Sequence, residues 1–161
     1  MFEFLKSKSK KQNKIVAPIS GKVIDLSEVP DEVFAQKMAG DGIAINATGN
    51  IVVSPVDGKL TMVFGTLHGF GIILDNGVEL LVHIGIDTVE LKGEGFKKLI
   101  EEGTYVKVGT PIIEIDREFI LSKGFSLITP VLITNPEKIK TIETITNKLV
   151  EAGKDEVIIY Y

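Results

Sequence analysis

The chain contains no cysteine. That excludes a disulfide framework, a thiolate nucleophile and cysteine-ligated zinc. No apolar run approaches the roughly 20 residues that a helix needs to cross a bilayer. The opening segment Met1-Phe-Glu-Phe-Leu5 lacks the apolar stretch and cleavage site of a secretory signal. An excess of positive charge is also missing: the formal net charge is -4. No motif that reads RNA or DNA is present, so no nucleic-acid partner is expected. Histidine is scarce, with only His68 and His83.

What remains is an ordinary soluble composition. The 161 residues are 44% hydrophobic and 25% charged, which suits one domain with a sizeable core and a cytoplasmic location. Residues 1–14 are expected to form a flexible basic arm. Lys6, Lys8, Lys10, Lys11 and Lys14 alternate there with polar residues too hydrophilic to bury. Phe2, Phe4 and Leu5 ahead of them form an apolar tip suited to weak contact with an anionic membrane. The domain is expected to run over residues 15–161.

From Ile15 onward, short apolar segments alternate with Gly, Pro, Asn and Asp turns, the pattern of an all-β chain. Val16-Ala-Pro-Ile-Ser-Gly-Lys-Val23 and Val53-Ser-Pro-Val-Asp-Gly-Lys-Leu60 echo each other and predict pseudo-symmetric hairpins in a sandwich or barrel. A few short helices are expected: one turn within residues 30–35, residues 96–102 ending at Gly103, and residues 117–123 capped by Asp116. The stretch 137–151 fits helix or strand, and 157–161 reads as a final strand.

The segment from Thr66 to Asp87 holds both histidines. Asn76-Gly77 between two apolar runs predicts a two-residue hairpin loop. Paired residue numbers then sum to 153, which sets His83 opposite Phe70 and Thr66 opposite Asp87. Thr66, His68, His83 and Asp87 then share one face. Val78, Leu80, Val82, Ile84 and Ile86 alternate onto the other face, towards the core.

Three uses of the two histidines compete on spacing alone. They can be ordinary half-buried side chains. They can bind metal, with Asp87 as a third ligand, but no further ligand set is evident and zinc would bind adventitiously. They can form a nucleophilic centre, because a neutral imidazole attacks well near neutral pH. In that case one ring attacks, a backbone carbonyl in the Gly85 turn holds its other proton, and the second ring steadies transferred charge.

Resemblance then narrows the choice. Gly77-Val-Glu-Leu-Leu-Val-His-Ile-Gly-Ile-Asp-Thr-Val-Glu-Leu-Lys-Gly-Glu-Gly-Phe96 resembles the active-site signature of the glucose-type enzyme IIA family. That family belongs to the bacterial phosphoenolpyruvate-dependent sugar phosphotransferase system. Val29-Pro-Asp-Glu-Val-Phe-Ala35, Gly40-Asp-Gly-Ile-Ala-Ile45, Ala17-Pro-Ile-Ser-Gly21, Val106-Lys-Val-Gly109 and Thr129-Pro-Val131 support the likeness. It spans roughly residues 15–135.

The resemblance implies an antiparallel β-sandwich with barrel-like character and no cofactor. It implies phosphoryl transfer from HPr to His83, then to a cysteine of an enzyme IIB domain serving a IIC permease. His68 carries over as the helper and Thr66 as its neighbour. Asp31 and Asp87 match acidic docking positions, and Val33, Phe34 and Phe64 an apolar rim. Gly69 and Gly71 stand where other small residues are commoner. The sugar stays open among glucose, N-acetylglucosamine, β-glucosides, sucrose, maltose and trehalose.

Two other roles remain in view. Some members of the family act as regulatory modules, binding transporters or metabolic enzymes through the same apolar face. A biotinyl or lipoyl carrier is suggested by the Ala-Pro-x-x-Gly-x-Val strand. Such a carrier needs a lysine at an exposed hairpin tip, and Asn76-Gly77 has none.

Overall fold

The computed structural model describes residues 12–161. The basic segment 1–11, with its apolar tip, lies outside the described residues. The described residues form fourteen strands in order: β1 Asn13–Val16, β2 Gly21–Asp25, β3 Asp41–Ala47, β4 Ile51–Val53, β5 Gly58–Val63, β6 Gly69–Ile73 and β7 Glu79–His83. Then come β8 Phe96–Lys98, β9 Tyr105–Val106, β10 Pro111–Ile115, β11 Ile128–Ile133, β12 Ile142–Thr144, β13 Leu149–Val150 and β14 Glu156–Tyr160. Two short helices interrupt them, α1 at Glu32–Ala35 and α2 at Arg117–Ser122.

Every strand pairing is antiparallel. An eight-stranded sheet runs β13-β2-β3-β11-β7-β6-β5-β9, and two three-stranded sheets run β1-β14-β12 and β4-β10-β8. The main core is a mostly aliphatic cluster that includes Ile15, Val23, Ile45, Ile113 and Ile158 together with Phe70. A second cluster of Leu26, Val29, Phe34, Ala44, Ile86 and Leu132 carries α1. No helix among the described residues is long and apolar enough to cross a membrane.

Several expectations are corrected. Asn13 and Lys14, assigned to the arm, belong to β1, where Lys14 pairs with Ile159 and its ammonium meets Glu156 at 3.0 Å. The two echoing segments are not hairpins: β1 pairs with β14, whereas β2 pairs with β3 and β13. Each Pro-x-x-Gly turn instead carries the chain from a small sheet into the large one. The two turns bind each other, with Val53 N–H donating to the Pro18 carbonyl at 2.8 Å and Val16 N–H to the Pro55 carbonyl at 3.1 Å. Pseudo-symmetry therefore holds, by a different pairing.

The helix expected at 96–102 is a strand at its start, β8, paired to β10 through Phe96↔Ile115. Seven residues are too few for a helix to outweigh burial of Phe96 and a full ladder. The ambiguous stretch 137–151 resolves into a single 3₁₀ turn at Pro136–Lys138, then β12 and β13. Helix α2 starts as expected, with the Asp116 carboxylate accepting from Phe119 N–H at 3.2 Å.

Candidate active site

His83 closes β7, and its neighbours come from three directions. Across the ladder it faces Gly69. The paired numbers sum to 152 and not 153, so Phe70 faces Val82 and goes to the core. The difference arises in the turn. Leu74 N–H donates to the Val78 carbonyl and Gly77 N–H to the Leu74 carbonyl, both at 2.9 Å. Gly77 has φ +88, so the loop has three residues with glycine in the left-handed position. The expected Thr66–Asp87 pairing is overturned as well, because both residues lie beyond the strand ends.

His68 still reaches His83, by leaving the strand. Strict alternation would send it to the core with Phe70. Instead, β6 begins only at Gly69. Leu67 sits at φ +61, in a tight turn where its N–H donates to the Phe64 carbonyl at 2.8 Å. The two imidazole centroids stand 5.1 Å apart, nearly edge to face at 80°. Thr66 Oγ1 lies 2.6 Å from His68 Nδ1.

A phenylalanine covers each ring. Phe34 of α1 lies 5.0 Å from the His83 ring and Phe64 lies 4.9 Å from the His68 ring, centroid to centroid. The expected rim is therefore partly core: Phe34 is buried in the second cluster, whereas Val33 beside it is 46% exposed. Gly69 makes room for this arrangement. A Cβ there would stand 2.9 Å from both the Phe64 ring and the Val82 carbonyl oxygen. Gly71 has no such crowding, since its nearest neighbour would be 3.6 Å away.

The electrostatics favour neutral rings. Burial pushes the His83 imidazole below its ordinary pKa, against opposing pulls from the Gly85 carbonyl, Asp31 and Asp87. Burial also lowers His68, and the neighbouring His83 adds to it. His83 Nδ1 lies 2.7 Å from the Gly85 carbonyl oxygen. In a neutral ring that nitrogen must carry the proton to donate, so Nε2 keeps its lone pair. Asp31 caps α1, its carboxylate accepting from Val33 N–H at 2.9 Å. Asp87 is exposed at φ +60 and makes no side-chain cap. Among the described residues, no three His, Cys, Asp or Glu side chains group as a metal site.

The sequence had left other features unnoticed. Thr88 is fully buried beside Gly85, a placement that its position in the motif does not reveal. Val89 and Met38 are 48% and 71% exposed. They stand in turns without periodicity, so no pattern could have flagged them.

Residues 13–139 match the family model described as phosphoenolpyruvate-dependent sugar phosphotransferase system, EIIA 1. The chain belongs to this EIIA family. It is 45% identical to the PTS system glucose-specific EIIA component of Staphylococcus epidermidis, over 98% of this chain and 97% of that protein. It is 46% identical to the PTS system N-acetylglucosamine-specific EIICBA component of Klebsiella pneumoniae, over 87% of this chain but 22% of that protein. The solved glucose permease IIA from Mycoplasma capricolum matches with a TM-score of 0.87 at 41% identity, covering 94% of this chain and 97% of that one. The antiparallel β-sandwich of this EIIA chain is thus the fold of its solved relative. As an EIIA component it belongs to a sugar phosphotransferase system.

Proposed function

We propose that the chain is a cytoplasmic phosphocarrier that accepts a phosphoryl group from HPr on Nε2 of His83. It then passes the group to the cysteine of an enzyme IIB domain. The observation that carries this proposal is the 2.7 Å contact between His83 Nδ1 and the Gly85 carbonyl, beside a second imidazole at 5.1 Å. The Nε2 lone pair forms the new N–P bond while the donor's bond to phosphorus breaks and its electron pair returns to the donor. The proton stays on Nδ1, which goes on donating to the Gly85 carbonyl. In the onward step the thiolate of the IIB cysteine attacks phosphorus and the N–P pair returns to Nε2.

His68 serves as the helper. With the Thr66 hydroxyl donating to its Nδ1, its own proton sits on Nε2 and can be donated to a phosphoryl oxygen. Among the described residues, the carboxylates acting on His83 are those of Asp31 and Asp87, which suits a basic partner face that balances the transferring phosphoryl group. Exposed Val33 and the acidic pair form a surface suited to a basic, partly apolar face. The glucose-specific names of the relatives support a glucose-type permease as the final acceptor.

The relay can be rebuilt from enzyme I, HPr, this chain and membranes bearing a IIB–IIC permease, with labelled phosphoenolpyruvate as donor. Labelled sugar phosphate should form only when the chain is present. His68→Gln should still accept phosphoryl from HPr yet slow onward transfer by roughly 100-fold or more, the scale of a lost acid catalyst. No sugar phosphate from well-folded wild type would overturn the carrier role. Equal losses in both steps would overturn the helper role.

A further inference from the structure

The carbonyl that orients His83 belongs to a glycine, the residue whose backbone is least constrained by its own side chain. Gly85 needs that freedom, because it sits at φ +77. Something else must then fix the direction of its carbonyl. The peptide joining Gly85 to Ile86 is held at both ends. Its oxygen faces His83 Nδ1 at 2.7 Å, and its N–H donates to the Ser126 carbonyl at 3.1 Å.

The preceding residue is anchored as well. Ile84 N–H donates to the His68 carbonyl at 2.7 Å, and the Ile84 carbonyl accepts from the Thr88 hydroxyl at 2.5 Å. The methyl of Thr88 closes the remaining side: a Cβ on Gly85 would lie 2.6 Å from Thr88 Cγ2 and 2.7 Å from the Ser126 oxygen. Thr88 is 0% exposed. No docking partner can touch it, so any effect it has on transfer must act through the turn.

We propose that Thr88 is a positioning residue for phosphoryl acceptance. Its hydroxyl ties the 84–88 turn, with its methyl packed beside Gly85, so that the Gly85 carbonyl keeps the His83 proton on Nδ1 and leaves Nε2 free. This rests on His83 being the phosphoryl acceptor. Without the tie, the Gly85 carbonyl swings and the proton can move to Nε2, which removes the lone pair that attacks. A wrong tautomer disables an imidazole even when its ring stays in place.

The test compares wild type, Thr88→Val and Thr88→Ser. The two histidines make the ring nitrogens simple to resolve by ¹⁵N NMR of the free, unphosphorylated protein at pH 8, where both rings are neutral. Wild type should show His83 as the Nδ1–H tautomer. Thr88→Val should lose part of that population and accept phosphoryl from HPr roughly 10- to 100-fold more slowly, the scale of a lost supporting hydrogen bond. Thr88→Ser keeps the hydroxyl and should recover both.

If Thr88→Val does not fold, Thr88→Ala is measured in its place with the same expectation. A folded variant without the hydroxyl that keeps wild-type ring shifts and rate overturns the assignment. So does a slowed variant with wild-type ring shifts, which marks a merely structural role. Wild type that takes no phosphoryl group on His83 refutes the acceptor role instead, and that failure is seen separately because the tautomer is read before any phosphorylation.

Discussion

His83 and His68 are withdrawn from water at one end of the large sheet, and this disfavours their charged forms relative to a surface imidazole. In the unfolded chain both return to about 6.5. Burial lowers both in the folded chain. Between the folded and unfolded values the unfolded chain binds more protons, so stability rises with pH. Their cost is absent above about pH 6.5 and grows as pH falls through the folded-state values. Thermal melts should therefore fall more steeply below pH 6.5 for wild type than for a His68→Gln, His83→Gln double variant. Parallel curves would contradict burial as the cause. At this scale the sequence pointed to the histidine pair, because only two histidines exist and both sit in the segment from Thr66 to Asp87. It was silent about Phe34 lying against His83, since that contact joins residues 49 positions apart through a separate cluster.

At the scale of elements, α1 shows how one residue serves two ends. Asp31 caps the helix that seats Phe34, and its charge acts on His83. Replacing it tests both roles at once unless they are separated. Asp31→Ala should lose about 1 kcal/mol from the cap and also weaken HPr binding. Asp31→Asn keeps a capping acceptor and should weaken HPr binding alone. Denaturant midpoints and an HPr titration read the two effects. Wild-type HPr affinity in Asp31→Asn would remove Asp31 from the docking surface.

The hairpin carries the other lesson of this scale. Its strands and core face were legible from alternation, yet its register was not. Asn76-Gly77 is compatible with a two-residue loop or with a three-residue loop ending in left-handed glycine. The choice depends on whether Asp75 joins the strand, and alternation alone does not decide that. One residue of slip moved Phe70 from the histidine face to the core. The kink at Leu67 then brought His68 back beside His83, so the two imidazoles met by an unexpected route. Residues 96–102 misled for a related reason: the local pattern fits a helix, but β10 offers Phe96 a ladder and a buried site that no local pattern reveals.

Across the whole molecule, two turn-and-strand units are joined by reciprocal bonds between the Pro18 and Pro55 regions. The resemblance extends to their partners. Gly153 N–H donates to the Ala17 carbonyl at 2.8 Å, and Gly109 N–H donates to the Ser54 carbonyl at 2.9 Å. Gly21 faces Val150 as Gly58 faces Val106. The sequence shows the first half of this duplication more plainly, because the second half shares only the short pattern Val106-x-x-Gly109 and Val150-x-x-Gly153. This frame holds the large sheet in place, and the paired imidazoles sit at an end of its neighbouring strands β6 and β7.

Intact mass spectrometry tests directly whether the chain carries phosphoryl on His83. Wild type and His83→Ala are incubated with phosphoenolpyruvate, enzyme I and HPr. Wild type should gain one acid-labile phosphoryl group and His83→Ala none. A fully phosphorylated His83→Ala protein, or a well-folded wild type that stays unmodified, would contradict His83 as the carrier.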